Sequence, residues 1–256
     1  MPPIAEWRAD PRWSAIDLLS DVHLQAGMPR TFEAWRRHLL HTEADAVLML
    51  GDVFEAWIGD DARFDGFEAQ CCEVLREASR RRMLAFMPGN RDFLVGDELL
   101  ADCGVHRLAD PTLLSAWQHR LLLTHGDALC LSDTGYQQFR HQVRNAGWQQ
   151  RFLSQPLADR QAQARAMREA SAEHQAGMAP GLWSDVDDAA AAAWLQQAAA
   201  SIMVHGHTHR PGRHVSADGR TRYVLGDWDF DTTPARARAL RLLPEGLAAL
   251  DLASAR

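Results

Sequence analysis

Five short apolar runs in this chain each stop at side chains able to hold a cation. Ile16 to Ser20 leads into Asp21-Val22-His23, Leu48-Met49-Leu50 into Gly51-Asp52, and Met83 to Met87 into Pro88-Gly89-Asn90. Further on, Leu121 to Thr124 leads into His125-Gly126-Asp127, and Ile202-Met203-Val204 into His205-Gly206-His207-Thr208-His209. Any one of these endings taken alone is more often an ordinary turn. Taken together they offer carboxylate, imidazole and amide groups, the oxygen and nitrogen donors that suit borderline divalent metals. A single ion bound by four groups would leave several donors idle. Two ions sharing Asp52 as a bridging carboxylate would use Asp21, His23, Asp52, Asn90, His125, His207 and His209. A pair of ions about 3.5–4 Å apart can generate a hydroxide nucleophile and neutralise the oxygens of a phosphate undergoing in-line displacement.

Donors scattered over nearly two hundred positions need rigid supports. Apolar runs of about four to eight residues closed by turn signals suit strands of a parallel sheet covered on both faces. Such sheets carry ligands just beyond the carboxyl ends of their strands. Asp21-x-His23 and His207-x-His209 are expected on extended segments, where side chains two apart point the same way. Phe32, Trp35, Leu39 and Leu40 predict a helix over 31–41, and a second helical period runs from Phe67 to Arg82, giving a βαβ rhythm. Asp187-Asp188 should cap an alanine-rich helix, Ala189 to Ala200. Three more strands are predicted at 222–225, 238–243 and 246–252, with a second sheet, packed on the first, as their home.

A chain of 256 residues can bury a substantial core. Its net charge of −7 lacks the basic balance of a protein whose affinity rests on neutralising nucleic-acid phosphates, so no nucleic-acid partner is expected; no obligate protein partner is evident either. All 27 basic residues are arginine. Cys71, Cys72, Cys103 and Cys130 have neither metal-ligand spacing nor a small-scaffold disulfide pattern, and read as buried free thiols of a reducing compartment. The first residues show no apolar signal region, and no run of about 20 apolar residues occurs.

From about residue 132 to 183 the strand rhythm gives way to two or three amphipathic helices. Tyr136, Phe139, Val143, Phe152 and Leu153 form an apolar side, with Arg140, Arg144, Arg151, Arg160, Arg165 and Arg168 around it. The plainer reading is helices packed on the core. The alternative is a lid over the site whose aromatic and arginine-rich inner face receives an amphiphile with a phosphate head. On that division 1–131 and 184–256 form the core and 132–183 the insertion.

In order, Asp21-x-His23, Gly51-Asp52, Gly89-Asn90, His125 and Gly206-His207-x-His209 resemble the five-block pattern of calcineurin-like metallophosphoesterases. The resemblance implies a two-sheet αββα sandwich. It also implies one metal on Asp21, His23 and His209, another on Asn90, His125 and His207, and Asp52 between them. The longer blocks Gly51-Asp52-Val53-Phe54-Glu55-Ala56-Trp57-Ile58-Gly59-Asp60-Asp61 and Gly89-Asn90-Arg91-Asp92-Phe93-Leu94 are narrower. They resemble the family of UDP-2,3-diacylglucosamine diphosphatases of lipid A biosynthesis. That family implies two Mn2+ ions per chain, a helical lid for acyl chains, and cleavage of UDP-2,3-diacylglucosamine to UMP and a diacylglucosamine 1-phosphate. It further implies a cytoplasmic protein peripherally associated with the inner membrane.

Many metallophosphoesterases follow the Gly-Asn pair with a histidine that protonates an alkoxide leaving group, whereas Arg91 stands here. An arginine cannot serve as a general acid, but its fork suits phosphate oxygens. A leaving phosphate monoester, with a second pKa of about 6, needs no proton. Arg91 as a plain salt-bridge partner of Asp92 is the competing reading. Asn90, Arg91 and His207, with Asp52, are thus the candidate catalytic groups. By the resemblance Asp133, Ser171 and Gln175 join Asn90, Arg91 and His207 in contacting substrate. Met178 departs from the family's usual lysine. Phe54 and Trp57 are core or a substrate wall, His205 supports its neighbours or packs, and Asp227 and Asp229 line the mouth or close a turn. A phosphodiesterase of soluble nucleotides, or a scaffold that only binds proteins, are the rival functions.

Overall fold

The computed structural model describes residues 2–176 and 185–254, with side chains left out for 170–176. Among the described residues, twelve strands form two six-stranded sheets. One sheet takes β2 (Ile16–Leu19), β3 (Ala46–Leu50), β4 (Met83–Met87), β5 (His106–Arg107), β11 (Arg238–Leu243) and β12 (Gly246–Asp251), in the order β12-β11-β2-β3-β4-β5. The other takes β1 (Ala5–Arg8), β6 (Thr112–Ala116), β7 (His119–Thr124), β8 (Ile202–His205), β9 (Gly212–Val215) and β10 (Thr221–Val224), in the order β1-β6-β7-β8-β10-β9. The expected second sheet exists, but the three C-terminal strands do not share it. β10 pairs in parallel with β8, while β11 and β12 extend the sheet of β2. Strands β2, β3 and β4 run parallel to one another, as do β7 and β8.

Strict alternation along the strands builds the layers. Ala46, Leu48 and Leu50 of β3 meet Leu121 and Leu123 of β7 in the core between the sheets. Val47 and Met49 point the other way, into a core shared with Trp35 and Leu39 of α1 (Pro29–His41) and Cys71, Cys72 and Leu75 of α2 (Gly66–Ser79). That core also takes Leu99 and Cys103 of α3 (Asp97–Cys103). All four cysteines are buried, and Cys71, Cys72 and Cys103 are free thiols, as their spacing indicated.

Between β7 and β8 come α4 (Thr134–Val143), α5 (Ala146–Leu153) and α6 (Leu157–Ala176), then α7 (Asp188–Gln197). On the far face of the second sheet, Leu113, Leu122 and Met203 pack against Trp194 and Leu195 of α7. Asp187 caps α7 by accepting from the Ala190 N–H at 2.8 Å, satisfying a backbone donor that the first turn leaves open. The result is the helix-sheet-sheet-helix sandwich that the motif order implied.

Candidate metal centre

The five apolar runs end at one rim of the sandwich: β2, β3 and β4 deliver Asp21, His23, Asp52 and Asn90 from one sheet, and β7 and β8 deliver His125, His207 and His209 from the other. The means differs from the extended segments expected. Asp21 (φ 55°), His23 (52°), Asp52 (53°), His207 (66°) and His209 (51°) all lie past the strand ends in the left-handed region. Each such residue costs of order 1–3 kcal/mol and persists only where its surroundings impose it. Here backbone bonds do so, from Asp21 N–H to Gly51 O, His23 N–H to Asp52 O and Gly206 N–H to His125 O, each 3.0 Å. Close packing explains two of the motif glycines. A Cβ on Gly89 would run into Asp52, and one on Gly206 into the Asp21 carboxylate and Ser20.

Donor atoms of Asp21, His23 and His209 lie within 4.8 Å of one another, as do those of Asp21, Asp52 and His125. His23 Nε2 is 3.2 Å from His209 Nε2, which is 3.3 Å from Asp21 Oδ1. His125 Nε2 stands 3.6 Å from Asp52 Oδ1. Asn90 Oδ1 is 2.9 Å from His125 Nε2 and 2.8 Å from His207 Nδ1.

The proton accounting fits cations. His23 Nδ1 sits 2.9 Å from Glu55 Oε2, and His125 Nδ1 sits 2.9 Å from the Leu50 carbonyl. Those acceptors claim the Nδ1 protons, leaving Nε2 lone pairs in the neutral rings. Lone pair then faces acceptor where His125 Nε2 meets Asn90 Oδ1, unless positive charge lies between. Without an ion that charge must come from protons. Burial opposes a charged ring at His125, yet Asp52, Asp21 and Asp127 outweigh it and lift the group to about 9. At His207 desolvation, aided by repulsion from His125, prevails and lowers it to about 4. Asp21 is held well below the usual carboxylate range: burial works against it, and His209, His125 and His23 overcome that.

Several supporting groups had no assigned role in the sequence reading. Asp92, fully buried, accepts from the N–H groups of Gly89 (2.7 Å), Val53 (2.7 Å), Asp52 (3.2 Å) and Phe54 (3.2 Å), tying the Asn90 loop to the Asp52 loop. Burial and the neighbouring Asp52 charge raise it to about 7. Asp127 accepts from Tyr136 Oη at 2.6 Å and Arg140 Nε at 2.8 Å, docking α4 on the His125 loop. The Tyr136 ring lies 5.8 Å from that of His207, and Arg144 Nη2 donates to Gly89 O at 2.9 Å. Glu55 was visible only as part of the long Asp52 block.

Arg91 is not a partner of Asp92. Its backbone N–H donates to Asp52 Oδ1 at 2.8 Å, and its guanidinium lies 3.8 Å from Glu55, partly exposed beside the donors. Asp133 caps α4, accepting from the Tyr136 N–H at 2.9 Å. Ser171 and Gln175 fall on the last turns of α6, where the side chains lie outside the described residues, as does Met178 altogether. Phe54 and Trp57 are both 2% exposed with rings 4.7 Å apart, so they are core rather than a substrate wall. His205 is buried, its Nε2 accepting from Arg222 at 3.1 Å and its Nδ1 meeting the Gly206 carbonyl. Desolvation lowers it to about 3, in keeping with a neutral supporting ring. Asp229 closes a turn through the Asp231 and Thr232 N–H groups, and Asp227 pairs with Arg236.

A two-sheet sandwich with Asp, Asn and His donors crowded at one rim defines a metallophosphoesterase. The profile of the Calcineurin-like phosphoesterase family matches residues 15–211, and the chain belongs to that family. Within it the chain is similar to the UDP-2,3-diacylglucosamine hydrolase of Bordetella pertussis, at 44% identity over 92% of this chain and 94% of that one. The UDP-2,3-diacylglucosamine hydrolases of Xanthomonas campestris pv. campestris (40%, over 92% and 98%) and Ralstonia nicotianae (39%, over 89% and 88%) are similar over nearly the same span.

Proposed function

We propose that this chain hydrolyses the pyrophosphate bond of UDP-2,3-diacylglucosamine, giving UMP and 2,3-diacylglucosamine 1-phosphate in lipid A biosynthesis. The observation that carries the reading is the convergence of seven donors around Asp52 with Arg91 beside them, in a chain so similar to enzymes of that name. Asp21, His23 and His209 would hold one Mn2+ and Asn90, His125 and His207 the other, with Asp52 shared. Bound there, two divalent cations supply a water of lowered pKa and neutralise phosphate oxygens.

The remaining chemistry belongs to side chains. Arg91 has its backbone pinned to Asp52, so its guanidinium meets the diphosphate from a fixed root and stays charged throughout. No general acid is required of it, because a phosphate monoester departs without a proton. Asn90 and His207, whose Oδ1 and Nδ1 lie 2.8 Å apart, are proposed to steady the charge that develops on phosphorus oxygens. Asp133, Ser171 and Gln175 are proposed to contact the substrate.

Residues 132–183 are proposed as the lid that receives the acyl chains. In support, the large apolar side chains left exposed among the described residues are Phe64, Leu131, Phe139, Leu153, Met167 and Val215; three of these six, Phe139, Leu153 and Met167, fall within 132–183, and Leu131 borders it. A phosphodiesterase of soluble nucleotides has no use for them. No described helix is long and apolar enough to cross a membrane; a peripheral association with the cytoplasmic face of the inner membrane, where such an amphiphile resides, is part of the proposal. The test compares UDP-2,3-diacylglucosamine, UDP-N-acetylglucosamine and bis-p-nitrophenyl phosphate at fixed Mn2+. A strong preference in kcat/KM for the acylated nucleotide is expected; equal rates would overturn the assignment.

A further inference from the structure

Glu55 lies three residues beyond Asp52, with its side chain only 16% exposed. Its two oxygens face different partners. Oε2 is 2.9 Å from His23 Nδ1. Oε1 is 3.1 Å from Arg168 Nε and 3.8 Å from Arg91 Nη1. Arg168 comes from α6, and its Nη2 also reaches Gln25 Oε1 at 3.3 Å. One carboxylate thus touches a candidate metal ligand, the arginine beside Asn90, and the helical insertion.

We infer that Glu55 is a two-sided positioning residue: one oxygen fixes the tautomer of His23, and the other gathers Arg91 and Arg168 into a guanidinium pair that reads the two phosphoryl groups of a diphosphate. The inference rests on the reading that the site takes a diphosphate. A neutral His23 whose Nδ1 proton is held by Glu55 must present Nε2 as a lone pair, the form a cation needs. On the other side, two guanidiniums and one carboxylate carry a net charge of +1. Glu55 therefore offsets the repulsion that would splay the arginines into solvent, yet leaves an excess positive charge for an anion. At 3.8 Å Arg91 is held by charge without a hydrogen bond, so its side-chain N–H groups remain available to phosphate oxygens. Arg168 commits Nε and one Nη2 hydrogen and keeps the rest of its fork.

Two substitutions separate the two sides. Glu55→Gln keeps a carbonyl oxygen for the His23 Nδ1 proton but turns an amide N–H2 toward the arginines, donor against donor. Glu55→Ala removes both contacts. Calorimetric titration of Mn2+ into metal-free protein is expected to give Glu55→Gln an affinity within about threefold of the starting protein, and Glu55→Ala a loss of about 10- to 100-fold. UDP-N-acetylglucosamine and UMP are then used as competitors of bis-p-nitrophenyl phosphate hydrolysis. Both variants should weaken competition by the diphosphate about tenfold, and competition by the monophosphate by less than threefold; Arg168→Ala should do the same with Mn2+ affinity intact. If thermal melting shows that Glu55→Ala does not fold, Glu55→Asp, too short to reach His23, takes its place with the same expected loss of Mn2+ affinity. Equal Mn2+ affinities for the Gln and Ala variants would overturn the His23 side, and unchanged diphosphate selectivity in Glu55→Gln and Arg168→Ala would overturn the arginine side. An unsubstituted protein that does not favour the diphosphate over UMP would instead overturn the substrate reading, while calorimetry would still decide the His23 side.

Discussion

Asp52 joins the two sheets' contributions to this site: Oδ1 accepts the Arg91 N–H and faces His125, while its own N–H is held by Asp92. Asp52→Asn is expected to lower kcat by more than the roughly 10- to 100-fold typical of residues that only support a metal ligand. Its melting temperature in the metal-free form should stay within a few degrees, so kinetics and calorimetry on one sample check both points. Gly89→Ala should act on the same carboxylate from outside, since the new methyl group competes with Asp52 for space. Metal analysis after dialysis is expected to find fewer than two Mn2+ per chain. The donors themselves were legible in the sequence because each follows an apolar run directly. Glu55, Asp92 and Asp127 were not, because their value lies in pairings across the chain, 23 with 55, 52 with 92 and 127 with 140, that no local spacing encodes.

At the scale of elements, arginine fastens the helical insertion to the core. Arg140 meets Asp127 under α4, Arg144 meets the Gly89 carbonyl, and the buried Arg160 at the start of α6 pairs with Asp61 and the Ile58 carbonyl. Asp61 is itself largely exposed, so removing Arg160 strands no buried charge but does remove the packing of its stem and its bond to the Ile58 carbonyl. Arg160→Ala is therefore expected to speed amide exchange across 157–169 and raise KM for the acylated nucleotide about tenfold. Hydrolysis of bis-p-nitrophenyl phosphate, which needs no helical cover, should change less than threefold. The strands that sequence patterns revealed were the buried ones: β3 is buried at all five positions and reads as an uninterrupted apolar run. β9 is exposed at all four and β1 alternates at a sheet edge, so neither carries a run to detect. Which sheet a strand joins was equally invisible, because Leu121 and Leu48 look alike in sequence while contributing to the common core from opposite sheets.

For the molecule as a whole, one buried carboxylate ties three elements together away from the site. Asp17 of β2 receives Arg241 of β11 at 2.7 and 3.0 Å and Thr42 at the end of α1, with His38 at 3.3 Å. Burial disfavours its charge, but His38, Arg241 and Thr42 prevail and hold it at about 2. With the folded pKa below the unfolded one, the stabilisation is complete above about pH 4 and disappears as pH falls through about 2. Asp17→Asn should lose about 3 kcal/mol at pH 7 by denaturant titration, and the gap from the unsubstituted protein should close across that acid window. Removing Mn2+ with a chelator should leave both sheets folded. Returning it at about a hundred times Kd should add roughly 2.7 kcal/mol for each site filled.

The left-handed rim has one more bearing. At Asp21, His23, Asp52, His207 and His209 glycine would adopt the observed backbone with less strain, yet none of the five positions has it. A descendant of this chain selected for endurance alone would gain by surrendering those side chains first. Its halves would grip as before, it would withstand more heat, and it would be inert.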